Sequence, residues 1–324
     1  MRLRIGTRKS AMALAQTEAI ARQLTAVAPA LDVEIVKFET TGDSDQTGKL
    51  LSHGGKGGAF VAEIRDAVRT GRLQAAMHSL KDMPGNEDTP GLVIGATLAR
   101  DPANDVLVLR PGLSLDEFKT SHGKGFKIGT NAVRRAAYAY RLFPGVEVIH
   151  YRGAADTRVR KLDDLEKQRL ADGGAVGPAD ALIMARSGLE RVGLAGRIAY
   201  EFSTIEMLPA AGQGIVAVEC GVDDWSTRGL LAKIDDLAAR RCSDAEREVL
   251  WMLNGHCNSP IAAFATINGA SMSLTASVLD EDGKRFIESS STGPADRPRE
   301  LGRAIGLELL AKGAADIIER SRPR

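Results

Sequence analysis

One local unit recurs along the first half of this chain and limits the folds open to it. A short apolar strand ends, a threonine or glycine turn follows, and an arginine stands in or beside the first turn of the next helix. Residues 3–6 lead through Thr7 and Arg8 to a helical pattern over 11–24, with Ser10 as a natural N-cap. Residues 127–129 lead through Thr130 to a helix that carries Arg134 and Arg135 and runs to about 142. Residues 146–150 lead through Arg152 and Gly153 to a helix from about 157 that carries Arg158. Arginine is unfavourable to the helix dipole at an N-terminus. One case is noise, but three at strand ends point to a cost offset by bound carboxylates or phosphates, which guanidinium grips bidentately. The strand and helix alternation implies two doubly wound α/β units facing a shared cleft, with ligand at the carboxyl ends of the strands.

A second polar cluster sits where another strand ends. The apolar run 73–77 reads as a buried strand leading into His78-Ser79-Leu80-Lys81-Asp82-Met83-Pro84, and Pro84 stops regular structure. Taken alone, this stretch reads as a polar loop with a Lys-Asp surface pair. Residues 40–58 are polar and glycine-rich and read as a lid that orders on binding ligand. They are not a phosphate-binding Walker loop: five residues separate Gly42 from Gly48, and Leu50 stands where Ser or Thr would hold magnesium. Further strands are read at 32–38, 92–97, 106–109 and 181–184, a helix at 59–70, and a hinge-like crossing at 100–105. Leu208-Pro209-Ala210-Ala211-Gly212-Gln213-Gly214 reads as a tight turn before a strand at 215–219. From about 234 the pattern changes to a long helix over 235–253 with Gly255 as its C-cap. Strands at 262–267, 271–279 and 285–290 follow, with Asp282-Gly283 as a hairpin turn, and then a helix over 297–312. This reads as a small α+β domain.

Composition excludes more than it selects. At 324 residues the chain calls for two or three domains. A net charge of +1 argues against a general nucleic-acid binder, and no apolar run reaches membrane-spanning length. The N-terminus lacks an apolar signal core, so a cytoplasmic protein is expected. The five histidines are scattered without ligand spacing, so no metal site is expected. The three cysteines form no CxxC pair, which suits a reducing compartment. Cys220 and Cys242 read as packing thiols. Cys257 lies in a turn beside His256, where a thiol can be activated as thiolate.

Taken together, these residues resemble the porphobilinogen deaminase (hydroxymethylbilane synthase) family over essentially the whole chain. The matching stretches, in the same order, are Ile5-Gly6-Thr7-Arg8-Lys9-Ser10, the Gly-Gly-Lys-Gly loop with Lys56, the stretch from His78 to Pro84, Gly129-Thr130 through Arg135, Arg152-Gly153, Thr157-Arg158, the turn from Leu208 to Gly214, and Gly255 through Pro260. The resemblance implies three α/β domains: 1–102 with 210–232, 103–209, and a small α+β domain 233–324. The first two are periplasmic-binding-protein-like, and the first is completed by a return segment starting near Gln213. It also implies a dipyrromethane cofactor joined by a thioether to Cys257. Four porphobilinogen molecules would then be deaminated and added head to tail, and hydrolysis would release hydroxymethylbilane.

The resemblance also assigns roles. Asp82 is implied as the catalytic carboxylate that stabilises the cationic azafulvene formed on loss of ammonia. Arg8, Ser10, Lys56, Ser79 and Lys81 are implied as cofactor or substrate contacts, as are Thr130, Arg134, Arg135, Arg152, Arg158 and Gln213. Porphobilinogen and the growing oligopyrrole would be the partners of a monomer that needs neither nucleic acid nor membrane. The chain departs from the family pattern in places. Ala132 replaces a usual serine, Ala154 an asparagine, His256 a glycine and Ala11 a proline. Asn258-Ser259 differ, and the lid carries one extra residue near Gly58. An anion-binding protein of periplasmic type would need the same arginines but neither Asp82 nor Cys257. A weakened deaminase relative is the other alternative.

Overall fold

The computed structural model describes residues 2–38, 58–151, 153–166, 168, 178–255 and 259–321. Three sheets organise it. The first contains β1 (Arg2–Arg8), β2 (Asp32–Phe38), β3 (Ala75–Ser79), β4 (Leu92–Thr97) and β10 (Val216–Gly221), in the order β2-β1-β3-β10-β4. The second contains β5 (Asp105–Leu109), β6 (Lys127–Gly129), β7 (Glu147–Ile149), β8 (Ala181–Ala185) and β9 (Tyr200–Glu201), in the order β7-β6-β8-β5-β9. The two orders are one topology used twice. Each sheet has parallel neighbours on one side and a single antiparallel strand inserted next to the far edge.

That inserted strand comes from beyond the sheet's own run of chain. β5 follows β4 directly yet belongs to the second sheet, and β10 follows β9 yet returns to the first. The sheets are therefore mixed, where the βα pattern alone suggests parallel ones. Alternate residues of the central strands face opposite layers, as the two-residue pleat requires. In β5, Leu107 and Leu109 pack under α3 (Leu115–Thr120) and α4 (Val133–Leu142), while Val106 and Val108 pack under α5 (Ala155–Asp163) and α6 (Arg186–Arg191). The first sheet is likewise covered on one face by α1 (Ala11–Val27) and α7 (Trp225–Leu231) and on the other by α2 (Gly58–Arg69).

The two crossings run side by side. Leu98 N–H donates to the Val216 carbonyl at 2.9 Å and Asp101 N–H to the Gly214 carbonyl at 3.0 Å. The Gln213 amide donates to the Ala103 carbonyl at 2.6 Å. Two glycines permit this closeness. Gly214 sits at φ +86°, and a side chain there would run into the carbonyl of Asp101. Gly212 sits at φ +74°, and its Cβ would lie 2.8 Å from Leu80 Cγ.

The third sheet is antiparallel: β11 (Ile261–Asn268), β12 (Ser271–Leu279) and β13 (Phe286–Pro294). One face packs on α8 (Leu237–Met252), α9 (Pro298–Ala311) and α10 (Ala314–Arg320). The other meets α4, where the Tyr138 and Ser277 hydroxyls are 3.0 Å apart and Arg141 lies over the Phe286 ring. At the end of α8, Asn254 and not Gly255 takes the left-handed position, at φ +48°. Gly255 is needed for space instead, because a Cβ there would lie 2.5 Å from Ile261 Cδ1. Asp282-Gly283 does turn the β12–β13 hairpin, with Gly283 at φ +70°.

Candidate active site

The stretch around Asp82 is less loop-like than its composition suggests. β3 starts later than the apolar run and continues through His78 and Ser79, because β10 pairs with it as far as Ser79. His78 is therefore buried, with Nε2 3.4 Å from a carboxylate oxygen of Glu219, which is also held by Arg65 at 2.9 and 3.0 Å. Leu80–Asp82 then form one 3-10 turn. Leu80 N–H donates to the Ile215 carbonyl at 3.0 Å, and Arg247 of α8 donates to the Pro84 carbonyl at 2.7 Å. Braced on both sides, the turn leaves Asp82 exposed and Lys81 partly buried.

Lys81 reaches across to the returning crossing. Its ammonium donates to Gln213 Oε1 at 3.4 Å, and the Gln213 amide donates in turn to Asp105 Oδ1 at 3.1 Å. Asp105, the first residue of β5, is fully buried. Arg134 donates to it and also to the Leu208 carbonyl at 2.8 Å, while Arg135 donates to it through Nε at 2.9 Å. Burial by itself would raise the Asp105 pKa, but Arg134, Arg135 and Lys81 outweigh it and hold the carboxyl below the usual aspartate value. Lys81 is pushed down to about 8, first by burial and then by Arg135, against the pull of Asp82 and Asp105.

The other expected contacts divide. Ser79 lies 3.4 Å from Gln16, a buried α1 residue that sequence reading did not single out. Arg8 ends β1, and the Ser10 hydroxyl caps α1 by accepting from Ala13 N–H at 3.3 Å. Thr130, buried at the end of β6, accepts from Ala132 N–H at 3.2 Å. Arg158 donates to the Gly153 carbonyl at 2.7 Å. Lys56, Arg152 and Cys257 lie outside the described residues, as does all of the expected lid except its last residue. Arg134 and Arg135 are not simple hooks turned to solvent, since an internal carboxylate already pairs with both. Asp105 was missed because it opens an apolar strand. The available signal was that an aspartate in such a strand must be paired.

The junction of the first two sheets thus gathers three cations, Lys81, Arg134 and Arg135, around one buried carboxylate, with Asp82 exposed beside them. Residues 3–229 match the model of the family described as "Porphobilinogen deaminase, dipyromethane cofactor binding domain", and residues 240–311 match that of "Porphobilinogen deaminase, C-terminal domain". The chain belongs to the porphobilinogen deaminase family. A porphobilinogen deaminase of Brevibacillus brevis is 39% identical over 317 residues, covering 97% of this chain and 96% of that one. One from Acidithiobacillus ferrooxidans is 37% identical over 320 residues, covering 99% and 98%. Among solved structures, the periplasmic aliphatic sulphonate binding protein SsuA of Escherichia coli aligns at a TM-score of 0.39 and 15% identity. It covers 76% of this chain and 71% of that one, and the likeness is too low to bear on the fold.

Two of this deaminase-family chain's departures have a structural meaning. Ala132 is the N-cap of α4 and Ala154 the N-cap of α5, and neither supplies a side-chain cap bond. The first-turn N–H groups of both helices therefore lack the partner that serine or asparagine would give. An acid-decorated dipyrromethane fits this donor set. Lys81 and the arginine pair supply positive charge, and the two helix starts supply N–H groups and favourable dipoles.

Proposed function

We propose that this deaminase joins four porphobilinogen molecules head to tail on a dipyrromethane carried by a thioether on Cys257, losing ammonia at each addition, and that hydrolysis then releases hydroxymethylbilane and leaves the dipyrromethane in place. The observation that carries the reading is the exposed Asp82 beside Lys81 and the arginine pair gathered at the junction of the first two sheets. When bound, the dipyrromethane supplies a nucleophilic pyrrole carbon as primer. The chain's own residues do the rest. Arg8, Ser10, Ser79, Lys81 and Thr130 hold acetate and propionate groups, together with Arg134, Arg135 and Arg158, while the expected contact Gln213 is buried and fully engaged by Ala103, Asp105 and Lys81 and steadies Lys81 instead. Lys56 and Arg152 complete the set. Asp82 faces the positive charge that grows on the pyrrole as ammonia leaves, and moves protons to the amine and from the new junction.

The choice of Cys257 is supported by the state of the other two cysteines. Cys220 and Cys242 are buried, and burial pushes both thiols up to about 11, far from the thiolate that an alkylation needs. Their free thiols also suit a monomer working in a reducing cytoplasm. Residues 1–102 with 210–232, 103–209 and 233–324 act as three domains in this reading.

Intact-mass spectrometry tests it. The purified protein is expected to weigh more than its sequence by one dipyrromethane, and Cys257→Ala to weigh the sequence mass. A wild-type chain at sequence mass that still consumes porphobilinogen would refute the tether.

A further inference from the structure

We infer that Asp105 is a positioning residue of the deaminase, fixing both arginines of α4 and, through Gln213, the ammonium of Lys81, so that the anion-gripping wall and the catalytic turn keep one register across the junction of the first two sheets. This rests on the functional reading above and adds a role to a residue that touches no substrate.

The geometry carries it. Asp105 is the foot of β5, the strand that enters the second sheet straight from the first crossing. Its carboxylate shows 0% exposure and is reached by three side chains from two other parts of the chain: Arg134, Arg135 at 2.9 Å and Gln213 at 3.1 Å. Gln213 belongs to the returning crossing and is itself fully buried. Its amide also donates to the Ala103 carbonyl at 2.6 Å, and its carbonyl oxygen Oε1 accepts from Lys81 at 3.4 Å. One hydrogen-bonded chain therefore runs from α4, through both crossings, to the residue before Asp82. Without the aspartate, two adjacent buried guanidiniums would face each other and Lys81 without an internal counter-ion. The energetically cheapest response is to splay apart, which displaces the carboxylate contacts. Misplacement by about 1 Å at such contacts costs on the order of 10² in rate.

Two properties separate positioning from bulk stability. One is the split of KM and kcat. The other is the titration of Lys81, which is faced by Asp82 on its own turn, Arg134 and Arg135 on α4, and Asp105 on β5. Of these, Asp105 and Asp82 favour the ammonium and the arginines oppose it, so removing Asp105 makes the proton leave more readily.

The test uses full-length Asp105→Asn and Gln213→Met beside wild type, with thermal unfolding, steady-state kinetics on porphobilinogen, and NMR titration of 13C-labelled lysine. Asp105→Asn is expected to lose about 10²-fold in kcat/KM, mostly through KM, and to move the Lys81 midpoint below its starting value of about 8. Gln213→Met keeps the buried charges balanced and is expected to raise KM less but to shift Lys81 in the same direction, because the ammonium loses an acceptor. A folded Asp105→Asn with wild-type KM and an unmoved Lys81 would overturn the inference. If Asp105→Asn does not fold, Gln213→Met decides: unchanged KM and midpoint overturn it, and a shift in both upholds it. A wild-type chain that consumes no porphobilinogen would sink the functional reading, while the lysine titration would still judge the role of Asp105.

Discussion

Two aspartates shape the cleft from opposite sides of the solvent boundary. Asp105 is enclosed, pairs with two guanidiniums and is held ionised by them. Its charge is spent inside the protein, and it is a fixed part of the wall. Asp82 lies three residues beyond the end of β3, exposed, in a turn braced by Ile215 and Arg247. A carboxylate there is open to solvent and can meet a cation that exists only during reaction. Preorganised groups of this kind commonly contribute about 10²–10³ in rate. Asp82→Ala should therefore lose turnover on that scale while its thermal unfolding midpoint stays with wild type, since no buried contact is lost. Wild-type-like turnover by the folded variant would remove Asp82 from the mechanism.

At the level of elements, the helix starts differ in a way that bears on ligand binding. α1 has its own cap in Ser10, and α8 has one in Asp236, whose carboxylate accepts from Ala239 N–H at 2.7 Å. α4 and α5 begin at alanines without side-chain caps, although both lie at the ends of strands of the second sheet. A bound carboxylate would make up the missing acceptor, so these helices are most stable with ligand present. Ala132→Ser should raise the unfolding free energy of the unliganded chain by about 0.5–2 kcal/mol, measured by urea denaturation. No gain would mean that the first-turn N–H groups of α4 already have acceptors.

At the scale of the molecule, one buried carboxylate links the third sheet to the two crossings. Glu246 of α8 shows 0% exposure and accepts from Arg100 in the first crossing, from Gly212 N–H at 2.7 Å before the second, and from Ala265 N–H at 2.8 Å in β11. It thereby joins the third sheet to both crossings, and Arg100 also donates to the Gln213 carbonyl at 2.9 Å. Glu246→Ala strands Arg100 and two buried N–H groups, and a broken buried pair costs about 3–5 kcal/mol. The expected outcome is a loss of that size in urea unfolding, with earlier proteolysis near the crossings. Unaltered stability would show that packing between α8 and the sheets suffices without the ion pair.

Much of this was legible in local patterns. Strands at Asp32–Phe38, Leu92–Thr97 and Ser271–Leu279, and the turn chemistry of Asp282-Gly283, follow from side-chain period and from backbone conformations that only some residues adopt. Short helices such as Leu115–Thr120, Arg186–Arg191 and Trp225–Leu231 were not legible, because a helix of that length owes its stability to tertiary packing and leaves little periodic signal. In the cleft, residue types at strand ends marked Arg134, Arg135, Lys81 and Asp82 as a polar cluster. Which charge neutralises which was decided only when the chain crossed twice between sheets, bringing Asp105 and Gln213 together from 108 positions apart. Periodicity records which face of a segment is buried. The pairing of charges depends on distance through a medium of low polarity, and that distance is a property of the folded topology alone.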